Sequence, residues 1–239
     1  MNTIIHVVPA DQVTQISRFG CDVSGYLSGY KPKSVTEQTN ILHHFFPSVG
    51  FADEKVAEKE LPEYAEGWFV IPKWQTVAPT YGEAVRNILD RIKETRNGAF
   101  WNCREGQIDS GRFRQSARTV DMLQKIGNKQ KDYDIIVVPA QFGIQYRDLS
   151  VDQARELFTK NEFGLDAFIV GIMLLTHPER LQQYDDLWID CAGNDFAPNV
   201  ADDFSGAPHF RFVSDKVWFS TSDTVDATIG YGSASGFLL

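Results

Sequence analysis

Asp190 and Asp195 are placed to do chemistry, because they follow a short apolar run that reads as a buried strand. Mg²⁺ and Mn²⁺ take oxygen ligands, and one or two carboxylates with water and a substrate phosphate can hold them. This pattern predicts a divalent-metal-dependent phosphoester hydrolase with Asp190 and Asp195 at the C-terminal end of a strand. Asp185, Asp186 and Glu162 could contribute further oxygens. In the alternative interpretation, Asp190 caps a turn, where aspartate is a favoured residue.

Cys191 offers a second chemistry, nucleophilic catalysis, because it follows Asp190 at the end of the same predicted strand. A loop amide or a nearby histidine could stabilise its thiolate. No histidine is adjacent in the sequence, however, and a free cysteine is more often an inert core residue. Asp190, Asp195 and Cys191 are therefore the candidate catalytic residues, and the sequence leaves open whether the protein is an enzyme.

Arg112, Arg114 and Arg118 are candidates for anion binding. They lie in a basic stretch, residues 91–131, which holds ten Lys or Arg and four acids. Together with Phe113 they could contact a phosphate or stack on a base. In the alternative interpretation, Phe113 faces the core and the arginines form a solvated helix face. The net charge of −9 counts against nucleic-acid binding, since that binding needs a clustered positive surface.

The frame for these residues is a set of short apolar strands at residues 4–8, 68–71, 135–138 and 187–189. Helical blocks separate the strands, so crossover connections are expected. The predicted fold class is α/β, with a mainly parallel central sheet, helices on both faces and an antiparallel C-terminal edge hairpin. The hairpin joins residues 209–213 to residues 216–220 through Ser214 and Asp215.

Capping signals predict where several helices begin. A Ser or Thr followed three residues later by an acid or amide forms a capping box. Such pairs start at Ser34, Thr80, Ser150 and Thr176. A further helix is predicted from Phe113 to a stop at Gly127. Residues 165–175 are apolar on nearly every face, which is typical of a helix inside a domain.

Composition indicates one globular domain over residues 1–239. Hydrophobic residues make up 43% of the chain and charged residues 23%. Cys21, Cys103 and Cys191 are an odd number without metal-type spacing, and the N-terminus has no signal-peptide pattern, so a cytoplasmic location is expected. The longest apolar run is well short of the ~20 residues that span a bilayer, so no membrane association is expected.

Phosphate-loop and dinucleotide signatures are absent from the sequence. High apolar content without a complete catalytic constellation favours an intracellular protein that acts by binding a protein partner or a second copy of itself. The metal-dependent hydrolase and phosphate or nucleic-acid binding through residues 91–131 are the alternatives. No cofactor is predicted, although Mg²⁺ or Mn²⁺ would suit Asp190 and Asp195.

Overall fold

The fold is that of a computed structural model, which describes residues 26–108, 111–199 and 203–239. The strand predicted at residues 4–8 and Cys21 lie outside the described residues. The described α-helices are α1 (Val35–Phe45), α2 (Tyr81–Thr95), α3 (Ala117–Lys129), α4 (Val151–Leu157) and α5 (Ala167–Thr176). Short 3-10 helices occur at Glu54–Glu58, Trp74–Thr76, Ile144–Tyr146 and Pro178–Arg180.

The strands of these ranges form two sheets. They are β1 (Gly67–Pro72), β2 (Phe100–Asn102), β3 (Phe113–Gln115), β4 (Ile135–Gln141), β5 (Glu162–Gly164), β6 (Trp188–Asp190), β7 (Asn194–Phe196), β8 (Gly206–Val213), β9 (Lys216–Asp223), β10 (Tyr231–Ser233) and β11 (Ser235–Phe237). The first sheet has the order β1-β4-β11-β5 and is antiparallel throughout. In the second sheet, β10 with β6 and β2 with β9 are parallel, and the other pairs are antiparallel.

The predicted mainly parallel central sheet is therefore wrong, and the chain has a mixed α/β fold. The strand predicted at residues 135–138 runs on, as β4, through Pro139 to Gln141, and all of its residues are buried. A continuous apolar run indicates that both faces of a strand are covered, which is common in parallel sheets. An antiparallel strand covered by helices produces the same run, and the sequence pattern cannot separate the two cases.

The predicted C-terminal hairpin exists as β8 and β9, but it is not an edge of the sheet. Ser214 and Asp215 have φ of 51° and 60°, the left-handed values of the tight turns that suit hairpin twist. Strand β8 also pairs with β6 and β7, and β9 pairs with β2. The hairpin therefore lies inside the second sheet.

Helix α5 confirms the predicted buried apolar block, because every one of its residues is buried. The Asp166 side chain caps its N-terminus by accepting a hydrogen bond from the Ile169 amide at 2.8 Å. Its neighbours include α2 and β1. A Cβ on Gly171 would lie 2.4 Å from Cγ2 of Ile88, so glycine lets α2 and α5 approach closely. The main core thus forms around α5.

The helix starts predicted at Ser34, Thr80 and Ser150 are confirmed, since each side chain accepts from a backbone amide of the first turn. The box predicted for Thr176 with Glu179 is wrong. Helix α5 runs through Thr176, whose hydroxyl donates to carbonyls of the preceding turn. Capping residues can thus also occur at the end of a helix, where the pattern misleads.

The helix predicted from Phe113 begins four residues later, at Ala117, and includes Gly127 instead of stopping there. Phe113 lies in β3, opposite Phe196 of β7, and its ring stacks on Tyr81 with centroids 5.6 Å apart. Phe113 therefore does make an apolar contact, but it does so from a strand and not from a helix.

Candidate functional site

Residues 191–193, the start of the predicted aspartate-rich loop, form a bulge in the second sheet. Strands β6 and β7 lie along one edge of β8, because β9 pairs with β8 along the other edge over its full length. The Cys191 amide still donates to the Pro208 carbonyl at 2.8 Å, and the Asn194 amide donates to the Cys191 carbonyl at 3.0 Å. The chain leaves the ladder at Ala192 and Gly193 and then rejoins it, as in a β-bulge.

This bulge contacts the start of α5. The Gly193 amide donates to the Leu165 carbonyl at 2.9 Å, and a Cβ on Gly193 would lie 2.4 Å from the Gly164 carbonyl oxygen. The Asn194 side chain accepts from the Ala167 amide at 2.6 Å. The bulge therefore satisfies a free amide at the N-terminus of the core helix, which is a structural role.

Asp195 is held by two arginines. Nη2 of Arg155, on α4, donates to Asp195 Oδ1 at 3.0 Å, and Nε of Arg114 donates to Oδ2 at 3.3 Å. Arg155 also donates to the carbonyls of Ala192 and Asn194, at 3.0 and 2.7 Å. Arg114, a candidate for anion binding, and Asp195, a candidate for metal binding, thus form an ion pair with each other.

Asp190 has very different surroundings. It is 5% exposed and lies directly opposite His209 of β8 and beside Ser233 of β10. Among the described residues its carboxyl has no hydrogen-bond partner, and burial raises its pKa to about 7. Across the described ranges, no group of three or more His, Cys, Asp or Glu side chains is arranged to hold a metal ion.

Cys191 is fully buried. Burial raises the pKa of its thiol well above the usual value, and the nearby Asp190 and Asp166 carboxylates raise it further. A thiolate nucleophile needs the opposite, a lowered pKa in a partly exposed, electropositive setting. The geometry is that of an inert core thiol.

Two of the three candidate anion-binding arginines are engaged within the chain. The Arg114 guanidinium lies 3.5 Å from the ring centroid of Phe204, in addition to its pair with Asp195. Arg118 donates to the Glu162 carbonyl at 2.9 Å and to two carbonyls shortly before it. The Arg112 side chain is half-buried, and its carbonyl accepts from Ala197.

The second sheet carries two rows of aromatic, charged and polar side chains on one face, which we call the outer face. Successive side chains of a strand point to opposite faces, and directly paired residues share one. The first row runs across five strands and consists of Tyr231, Trp188, Arg211, Trp218 and Trp101. The second row consists of Ser233, Asp190, His209 and Ser220.

Rings and one guanidinium pack along the first row. The Arg211 guanidinium carbon lies 4.8 Å from the Trp188 ring centroid and 5.1 Å from that of Trp218. Trp188 also stacks on His209, with centroids 6.4 Å apart and planes at 22°. The first row thus covers the second row at His209.

His209 is 2% exposed, and its Nδ1 lies 3.2 Å from Oγ of Ser222. Its Nε2 has no partner among the described residues. Burial lowers the pKa of His209 to about 3, and the charges of Arg211 and Arg104 lower it further, so the ring is neutral at pH 7. Burial raises the pKa of Tyr231, while the nearby Arg211 and Ser222 act to lower it.

Sequence reasoning selected Asp190 but missed His209, Ser222 and Tyr231. The two-residue turn at 214–215 places His209 opposite Ser220, so part of the cluster follows from the predicted hairpin. The pairing of β6 with β8 joins distant segments, and no local pattern reports it.

A separate cavity of about 490 Å³ lies between α3 and the 3-10 helix at residues 74–76, and we call it the α3 cleft. Its apolar lining includes Ile71, Leu123, Ile136, Phe168 and Ile169. Lys73 and Lys131 also line it, and neither forms an ion pair with a described residue. Gly127 of α3 leaves space there, since a Cβ would meet nothing closer than Lys73 Cε at 3.9 Å.

Asp166 lines the cleft where it meets the start of α5. Burial raises its pKa to about 6, against the opposing effect of hydrogen bonds to its carboxylate. One of these bonds comes from the Gln115 side-chain amide at 2.6 Å. Unlike the Asp190 carboxyl, the Asp166 carboxylate accepts hydrogen bonds from other residues of the chain.

Comparison with protein-family models, curated proteins and solved structures finds no match for this chain. Among the described helices, none has the length and apolarity needed to cross a bilayer. A function for this protein therefore has to be inferred from its own geometry.

Proposed function

We propose that this protein acts by binding, and that the α3 cleft holds a small amphipathic anion. The observation that carries the proposal is a cavity of about 490 Å³ with an apolar floor and two lysines that form no ion pair with any described residue. Ligand sites typically have volumes of ~300–1,000 Å³ and combine an apolar lining with a few polar groups.

The floor and the lysines have different roles in this proposal. An apolar ligand chain covering Trp74, Val120 and Leu123, the half-buried and exposed apolar residues of the cleft, removes apolar surface from water, which supplies most of the affinity. Lys73 is half-buried and Lys131 is exposed. Pairs at such positions contribute only ~0.2–1 kcal/mol each, so the lysines select the sign of the head group.

Octanoate and octan-1-ol, titrated by calorimetry, separate these two roles. We expect octanoate to bind more tightly than octan-1-ol by roughly three- to tenfold, because only the carboxylate interacts with the lysines. Replacing both lysines, Lys73→Gln with Lys131→Gln, should bring the two ligands to equal affinity.

Gly127→Leu tests the location, because its side chain would fill the cleft without a backbone clash. We expect it to abolish binding of both ligands. Lys125→Gln is the matched control, since Lys125 lies on the same helix but pairs with Asp121 on the surface. Unchanged octanoate affinity in Gly127→Leu would disprove the proposal.

Self-association or a protein partner remains a prediction. Phe51 and Trp101 support it, because their side chains are 70% and 54% exposed. Native mass spectrometry over a concentration series tests self-association. A mass that stays at one chain throughout would count against it.

The other interpretations keep different degrees of support. The ion pairs of Asp195 count against metal-assisted hydrolysis at Asp190 and Asp195, and the contacts of Arg114 and Arg118 count against nucleic-acid binding through residues 91–131. A cytoplasmic location is supported by Cys103 and Cys191, the cysteines of the described ranges, which are free thiols and suit a reducing compartment.

A further inference from the structure

We propose that Ser222, His209 and Asp190 form an acyl-transfer site on the outer face, which acts on carboxylic esters with a flat apolar group. The site is independent of the α3 cleft, because none of its residues lines that cavity. Its roles are a serine nucleophile, a histidine base and an aspartate that positions the histidine.

Ser222 and His209 already have the geometry of a nucleophile and its base. Oγ of Ser222 lies 3.2 Å from Nδ1 of His209, close to the usual reach of a proton transfer. Ser222 is half-buried, so an incoming carbonyl can reach its oxygen, whereas the imidazole is shielded from water. A neutral ring that accepts from Ser222 at Nδ1 carries its hydrogen on Nε2.

Asp190 is placed to take the hydrogen on Nε2. Directly opposed residues of antiparallel strands have Cα atoms ~4.5–5.5 Å apart, and Asp190 and His209 are such a pair. Asp190 is 5% and His209 2% exposed, His209 Nε2 has no partner in the described part of the chain, and the Asp190 carboxyl takes part in no hydrogen bond there. A rotation of either side chain towards the other would satisfy both groups, which buried polar atoms require. The Asp190 carboxylate would then raise the pKa of the imidazole from about 3 towards the range that a general base needs.

Arg211 and Tyr231 supply the groups that would stabilise negative charge. The Tyr231 ring centroid lies 5.2 Å from that of His209, and the Arg211 guanidinium packs on Trp188 in the same row, so a phenolic donor and a guanidinium both lie near the Ser222–His209 pair. A tetrahedral intermediate formed at Ser222 places its oxyanion near these donors. Donors fixed before the reaction are the most effective form of such stabilisation.

The reaction balances with water as the only co-reactant. Oγ of Ser222 forms a bond to the ester carbonyl carbon while its proton passes to Nδ1 of His209. The C–O bond to the alcohol then breaks, and the alcohol leaves with that proton. Water repeats the sequence on the acyl-serine, which releases the carboxylic acid and restores Ser222.

The first row of the outer face sets the substrate class. Trp188 and Tyr231 pack against the His209 ring, with centroids 6.4 and 5.2 Å from it, and Trp188 is half-buried. Aromatic surfaces beside the histidine favour a flat apolar group over a charged or flexible one. Aryl esters therefore fit better than esters of small polar alcohols.

Diisopropyl fluorophosphate is the probe for this site, because an activated serine displaces its fluoride and keeps the phosphoryl group. We expect one adduct per chain by intact mass, mapped to Ser222 by peptide sequencing, and none in Ser222→Ala. Ser220→Ala is the matched control. Ser220 is on the same strand and face, opposite His209, but Ser222 is the serine hydrogen-bonded to Nδ1. This control should label like the unmodified chain.

His209→Gln should lower the labelling rate by roughly 100-fold or more, the usual contribution of a general base. Because His209 is buried, circular dichroism must confirm that the variant folds. If His209→Gln does not fold, Ser222→Ala still tests the proposal, because Ser222 is half-exposed and its replacement should not disturb the fold. Hydrolysis of 4-nitrophenyl acetate should be lost in parallel in both variants.

Asp190→Asn tests the positioning role through the pH profile of labelling. The groups around His209 are Asp190 on β6, Arg211 on β8, Tyr231 on β10, Ser222 on β9 and Arg104 after β2. A positioning aspartate predicts slower labelling and a shifted midpoint, whereas a purely structural role leaves the midpoint unchanged. No adduct on the unmodified chain, or an adduct that persists in Ser222→Ala, would overturn the proposal.

Discussion

In the α3 cleft, two lysines stand beside an apolar floor that solvent can reach, whereas on the outer face a carboxyl and an imidazole are buried beneath aromatic rings. The two regions also differ in how their polar groups are satisfied. Asp166 in the cleft accepts hydrogen bonds from the chain, but Asp190 on the outer face accepts none from the described residues. The comparison shows that the carboxylate of the cleft is satisfied within the chain, whereas His209 Nε2 and the Asp190 carboxyl have no partner among the described residues.

Glycine substitutions should give the largest contrast between the regions. Gly193→Ala places a Cβ 2.4 Å from a carbonyl oxygen at the bulge, and the obstacle is backbone. We expect a loss of more than ~3 kcal/mol in unfolding free energy. Gly127→Ala in the cleft meets no clash and should stabilise α3 by up to ~1 kcal/mol. Urea unfolding of both variants measures these changes. Equal changes in unfolding free energy would contradict the difference between the bulge and the cleft.

Asp190→Asn should stabilise the protein at high pH. The folded pKa of Asp190, about 7, lies above its unfolded value, so its contribution is complete below pH ~4 and is lost as pH rises towards 7. Asparagine does not titrate. We expect a gain of about 3–4 kcal/mol at pH 8 and little change at pH 4, because any cost of burying the amide is the same at both pH values. A gain that is the same at both pH values would contradict the burial of Asp190 as a neutral acid.

Arg155→Ala removes the side chain that holds the bulge against α4. It leaves the carbonyls of Ala192 and Asn194 and the Asp195 carboxylate without this donor. We expect a loss of about 1.5 kcal/mol, because the Arg155 side chain is partly exposed and water replaces some of the bonds. Thermal unfolding monitored by circular dichroism tests this, with Arg91→Ala as a control on an exposed pair. Equal melting temperatures for Arg155→Ala and the unmodified protein would show that Arg155 does not stabilise the bulge.

Lys131→Gln should have the smallest effect. Lys131 is exposed and makes no described ion pair, so unfolding free energy should change by less than ~0.5 kcal/mol while octanoate affinity falls. A large loss of stability would show that Lys131 has a structural role, and the cleft would then lose one of its two recognition groups.

Local patterns predicted much of the fold and less of the site. The capping residues Ser34 and Ser150, the buried block of α5 and the β8–β9 turn all depend on neighbours in the sequence, and they are confirmed. Strand direction in the first sheet depends on contacts between distant segments, and its prediction was wrong.

The same limit applies to the candidate residues. Asp195 was selected for its carboxylate, but its two arginine partners come from β3 and α4, far away in the chain. Asp190 was selected for its place after a strand, and its partner His209 was missed because strand pairing brings them together. Lys73 and Lys131 carried no sequence signal, since two isolated lysines resemble any solvated pair.

The most direct test of the binding proposal is a titration of the ¹⁵N-labelled protein with octanoate, followed by amide chemical shifts. The account predicts saturable shifts at Ile71, Gly127 and Phe168 and none at Trp188 or Ser222. Shifts confined to the outer face, or spread evenly over the surface, would contradict the α3 cleft as the binding site.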